Sequence, residues 1–155
     1  MKRLVMAILL AVFVASPVLA GEVRDNIALT QSIIEVERKM IVANNLSLTD
    51  EQSKAFWPVY DEYWAEMKKV ADRDVALISD FAKNYVYEGL TNQKADDMLK
   101  EWTSIKQHEL KLQNKYMKKF RKVLPEKKVL RYFQIENKLN LLIDSELSAN
   151  IPLAR

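Results

Sequence analysis

The residues of this chain are not grouped in the sets that carry reaction chemistry. The single histidine, His108, stands among lysines, and there is no cysteine. A metal site draws on several His, Cys or carboxylate ligands at set spacing, so His108 predicts a surface residue, and no metal is expected. Glu62 with Glu66, and Asp96 with Asp97, have the spacing of ordinary exposed helix residues. No nucleophile–base set and no glycine-rich phosphate loop is present. The expectation is a protein with no catalytic residues and no cofactor, which works by binding.

Two groups of residues could form a binding surface. Phe56, Trp57, Tyr60, Tyr63 and Trp64 cluster in nine residues. Phe56, Tyr60, Tyr63 and Met67 share one helical face and predict core. Trp57 and Trp64 are offset from that face, and either meet the first or fourth helix or line an apolar client surface. The second group is basic. From Ser47 to Glu101 there are 12 acidic and 7 basic residues, whereas Lys106 to Arg131 holds 10 basic and 2 acidic. At 3.6 residues per turn, Lys111, Lys115, Lys118, Lys119 and Lys122 gather beside a Leu112–Tyr116–Phe120 seam. They are either a solvated face, partly paired with the acidic helix opposite, or a patch that attracts acidic clients, a sensor domain or anionic lipid heads.

Helices must position both groups. Gly21 and Gly89 are the only glycines, too few for the hairpin turns and bulges of a β-rich domain. The fold class expected is all-α, a long antiparallel helical hairpin with flanking N- and C-terminal helices, four helices in total. The first helix reads from about Arg24 to Asn44, with Ile27, Ile33, Ile34, Val36, Met40 and Ile41 apolar and Asn44-Asn45 as its stop. The second starts at Thr49, where Thr49-Asp50-Glu51-Gln52 forms a capping box. Phe56, Tyr60, Tyr63, Met67, Val70, Leu77 and Phe81 then follow heptad rhythm, with Asp74 in the open slot. Pro58 is expected to kink this helix or divide off its first two turns. Gly89 closes it and Thr91 caps the third, about Asn92 to Val123. Ala95, Met98, Trp102, Ile105, Leu112, Tyr116, Phe120 and Val123 form the third helix's seam, with Glu109 as its polar member. Pro125 opens the fourth as its first residue; Val129, Phe133, Leu139, Leu142, Ile143 and Leu147 mark its apolar side. The tail Ile151-Pro152-Leu153 is expected to fold back onto the body.

The N-terminus bears on location. Met1-Lys2-Arg3 precedes an unbroken apolar run of 12 residues, Leu4 to Ala15, then Ser16-Pro17-Val18-Leu19-Ala20. This is the pattern of a secretory signal cleaved after Ala20, and the run is short of the roughly 20 apolar residues that span a bilayer. Residues 1–20 are therefore read as a signal peptide and 21–155 as a single all-helical domain in the periplasm. Without Lys2 and Arg3 the chain has 22 basic and 21 acidic residues over 135. Near-neutrality and export both argue against a nucleic-acid partner. With no disulfides available, packing alone must hold the fold.

Leu48-Thr49-Asp50-Glu51-Gln52 leads to Phe56-Trp57, and Leu124-Pro125-Glu126-Lys127-Lys128 leads to Tyr132-Phe133 at the same offset. This repeated leucine, helix start and cap resembles the periplasmic LTxxQ-motif proteins, the Spy/CpxP family. Leu48, Thr49 and Gln52 match the motif fully; in the second copy Pro125 and Lys128 replace Thr and Gln. FWPVYDEYW, LPEKKVLRYFQIENKL and the IPL tail are similar to uncharacterised exported bacterial proteins. The resemblance implies an ATP-independent chaperone for unfolded envelope proteins, or an adaptor that restrains a stress sensor. A long amphipathic hairpin can also form a homodimer to cover its remaining apolar side.

Overall fold

The computed structural model describes residues 36–85 and 89–154, and among them the chain forms four α-helices and no strand. Helix α1 covers 36–46, α2 Asp50–Lys83, α3 Asn92–Phe120 and α4 Glu126–Asn150. The all-α architecture is as expected, with α2 and α3 as a long antiparallel hairpin, α1 before it and α4 after it. The segment read as a signal peptide, Ile27, Ile33 and Ile34, and the side chain of Leu147 lie outside the described residues. The described residues group into two compact units: those up to Ser47 with Leu130–Pro152, and those within Leu48–Val129 with Leu153 and Ala154.

The hairpin unit begins at the capping box. The Thr49 hydroxyl accepts from the Gln52 amide at 3.3 Å, and the Gln52 side chain accepts from the Thr49 amide at 3.2 Å. Two of the four unpaired donors of a helix start are satisfied this way. Asp50 and Glu51 occupy the first turn, where the helix dipole favours negative charge. The helix then runs unbroken through Pro58. Lys54, whose carbonyl loses its usual donor to the proline, is exposed, so water can replace that bond, and the expected division does not occur.

Phe56, Tyr60, Tyr63, Met67 and Val70 of α2 and Ile105, Leu112, Tyr116 and Phe120 of α3 are buried. Each of the Phe, Met, Val, Ile and Leu side chains among them contributes about 1.5–3 kcal/mol by leaving water. Ring centroids stand 5.3 Å apart for Phe56–Phe120 and 5.2 Å for Tyr63–Tyr116. Arg73 meets Glu101 and Asp80 meets Lys94 further along, so the residue numbers descend on one helix as they rise on the other. At the turn the α-helical part of α2 ends at Lys83 and a π-helical turn follows at Asn84 and Tyr85. Asn84 is buried and its side chain donates to the Asp80 carbonyl at 2.7 Å. Gly89 takes φ +75°, a left-handed conformation that suits glycine, and Thr91 caps α3. The helix stops at Phe120 and residues 121–123 form a turn, so Val123 lies just past it.

In the other unit α1 runs past Asn44-Asn45 to Leu46, because Leu46 is fully buried and continuing the helix places it there. The left-handed residue is Ser47, at φ 49°, and the Asn45 side chain instead donates to the Ile41 carbonyl at 2.8 Å. Pro125 stands one position earlier than expected: its carbonyl accepts from the Lys128 and Val129 amides, which makes it the cap and not the first turn. The buried face of α4 is Val129, Tyr132 and Glu136, while Phe133, Leu139 and Ile143 are half-buried and Leu142 is exposed. Helices α1 and α4 are antiparallel: the Arg38 guanidinium pairs with Glu136 and donates to Asn140 at 3.0 Å, and Arg131 donates to the Asn45 carbonyl at 2.6 Å. Leu153 is 88% exposed, so the tail does not bury its leucine.

Candidate functional site

The LTxxQ-type segment is built into the scaffold. Besides capping Thr49, the Gln52 carbonyl oxygen accepts from the Lys128 ammonium at 2.7 Å. Gln52 and Lys128 are the fifth residues of the two copies of the repeat, so the copies meet at equivalent positions. Four residues later in each copy stand Phe56 and Tyr132, both fully buried. Leu124 is buried and Leu48 half-buried. Leu48, Thr49 and Gln52 thus fix where α2 begins and tie it to the start of α4.

Trp57 and Trp64 are half-buried in the aromatic cluster of α2. The Trp57 indole donates to the Ser53 hydroxyl at 2.9 Å, and its ring stands edge-on to Phe56 and Tyr60 at 5.0 and 5.2 Å. Trp64 stands edge-on to Tyr63 at 5.7 Å. Such pairings favour fixed rings over freely presented ones.

The five lysines separate into two sets. Lys115 pairs with Glu66 at 2.8 Å and Lys119 with Glu62, both across the hairpin, and both ammonium groups lie over the Tyr116 ring. The Tyr116 hydroxyl also donates to Glu66 at 2.8 Å. Hydrogen bonds from Lys115 and then Tyr116 hold the Glu66 carboxyl below its ordinary value. Burial, and then the bond to Glu66, push the Tyr116 phenol up to about 12. Lys111, Lys118 and Lys122 are exposed. The solvated-and-paired expectation therefore holds for Lys115 and Lys119, and a basic face remains at the other three.

One residue that the heptad reading placed inside is outside, and two apolar residues it did not assign stand beside it. Trp102, assigned to the seam, is 52% exposed, and Leu99 and Leu110 are 64% and 58% exposed. No hydrophobic side chain between Val70 and Asn84 on α2, or between Thr91 and Ile105 on α3, is fully buried. Val75, Ile78 and Met98 there are only half-buried. Two helices touch along one line, so side chains flanking that line keep facing water unless a third element covers them. The signal was available: Leu99, Trp102 and Leu110 recur at 3 and 8 residues, a second stripe beside the first.

Among the described residues no group of three His, Asp or Glu side chains could hold a metal ion, and His108 is exposed. The chain matches no known protein family, no curated protein and no solved structure.

Proposed function

We propose that this chain is an exported, ATP-independent chaperone or envelope-stress adaptor that holds unfolded or partner protein on its helical hairpin. The observation that carries the reading is the exposure of Leu99, Trp102 and Leu110 on a hairpin half with no fully buried hydrophobic side chain among the described residues. Large apolar side chains exposed together on one side of a helix mark candidate sites of protein contact, and here the exposed Lys106 interrupts them between Trp102 and Leu110. The basic face of Lys111, Lys118 and Lys122 adds salt-dependent attraction for acidic clients. The full match of Leu48, Thr49 and Gln52 to the LTxxQ pattern, and the resemblance to Spy/CpxP-type proteins, support the same reading.

The test is suppression of aggregation by Gly21–Arg155 without ATP, against two unrelated denaturing clients. Protection of both is expected, with loss of protection in a Leu99→Ala/Trp102→Ala variant that keeps its helical circular dichroism. If the wild-type chain protects neither client, the general chaperone reading fails. A single stoichiometric partner recovered from envelope extract would then identify a dedicated regulator.

A further inference from the structure

The basic face of α3 can serve a second purpose. Lys115 and Lys119 are engaged by Glu66 and Glu62, but Lys111, Lys118 and Lys122 are exposed and make no ion pair among the described residues. Lys111 and Lys118 are seven residues apart on α3, about 10 Å at 1.5 Å per residue, and Lys122 stands in the turn just past the helix end. From Thr103 to Leu124 the only carboxylate is Glu109, which is half-buried. The face is therefore cationic without an anionic residue of α3 to neutralise it.

Its shape favours one kind of partner. Gln107, Leu110, Lys111, Asn114, Lys115 and Lys118 line an open, shallow hollow, and every one of them belongs to α3. No second element supplies a wall, so a peptide or helix laid there is gripped from one side only. A plane of mobile negative charge needs no wall. It meets the ammonium groups of Lys111 and Lys118 on one face of α3 and of Lys122 just past its end, and Leu110 can face the boundary between headgroups and acyl chains while the lysine stems extend beside it. No helix among the described residues is long and apolar enough to cross a membrane.

We propose that Lys111, Lys118 and Lys122 dock this protein peripherally on an anionic phospholipid surface. Each lysine near such a surface strengthens partition about fivefold, so the three together contribute on the order of a hundredfold. The attraction is screened at high salt, where the Debye length falls to about 3 Å at 1 M.

Gly21–Arg155 is sedimented with vesicles of phosphatidylglycerol and phosphatidylcholine, and with phosphatidylcholine alone, at low and high salt. Binding to the anionic vesicles at low salt only is expected. Lys111→Gln/Lys118→Gln/Lys122→Gln abolishes it, whereas Lys115→Gln/Lys119→Gln and Leu99→Ala/Trp102→Ala leave it in place. No binding of the folded wild-type chain to anionic vesicles at low salt overturns the proposal, as does undiminished binding of the triple variant. If vesicles are ignored but the triple variant loses client protection, the face serves acidic protein and the lipid assignment is wrong. The aggregation assay judges the chaperone reading separately.

Discussion

Replacing Arg38 with methionine tests the most deeply buried charge pair described. The Arg38 and Glu136 side chains are each only 6% exposed, so solvent screens their interaction little. The Glu136 carboxyl is already raised above its ordinary value, because burial outweighs the attraction and hydrogen bond of Arg38 and the bond from Tyr132. The folded state therefore holds the Glu136 proton more tightly than the unfolded chain does. Its contribution to stability is fully present below the unfolded carboxylate value near 4.5 and is lost as pH rises through the raised folded value. Arg38→Met keeps the aliphatic bulk and leaves the carboxylate without its cation. At neutral pH this is expected to cost about 3–5 kcal/mol. The loss should shrink as pH falls, because protonation of Glu136 removes the stranded charge. Urea unfolding of Gly21–Arg155, followed by circular dichroism at neutral pH and again near pH 4, measures both quantities. Adding Glu136→Leu to the variant should recover most of the loss, since apolar replacement of a whole buried pair is often neutral or stabilising. A cost below about 1 kcal/mol, or one that is the same at both pH values, would refute the reasoning.

Three other outcomes follow from the geometry. Gln52→Ala removes the acceptor shared by the Thr49 amide and Lys128, and should cost about 0.5–2 kcal/mol in chemical denaturation, the range of lost helix caps. Phe120→Ala empties a fully buried ring site packed against Phe56 and Tyr63, and should cost about 3–5 kcal/mol in the same assay. Tyr116→Phe removes one of the bonds that depress Glu66, so the Glu66 carboxyl titration followed by NMR should move up toward its ordinary value. Because that carboxyl is lowered in the folded state, its stabilising contribution is present at neutral pH and is lost as pH falls through the folded value. The variant should lose less in that acidic range.

Much of this protein is legible residue by residue. Scarcity of glycine predicts helices, and Thr49 with Gln52 marks the start of α2 because a capping box is closed by bonds between residues three apart. Phe56, Tyr60, Tyr63, Met67 and Val70 lie on the buried face because helical periodicity assigns a face without reference to anything distant. The seam reading fails at Trp102 for a complementary reason. Period gives the direction in which a side chain points, but not whether another element stands there to cover it. Near Phe120 the hairpin buries its rings; near Trp102 two helices alone leave the ring half in water. The same limit applies to the lysines: spacing groups five on one side, and only the carboxylates of Glu62 and Glu66 on the partner helix decide which two are neutralised. Arg38 and Glu136, 98 residues apart, carry no local sign of their pairing. Local hydrogen bonding and periodicity are properties of the sequence, and they determined the helices, the Thr49 and Thr91 caps and the buried face of α2. Burial and charge pairing depend on which distant segments meet, so only the tertiary structure decided that Glu136 is a core residue and that Leu99, Trp102 and Leu110 are left to face solvent.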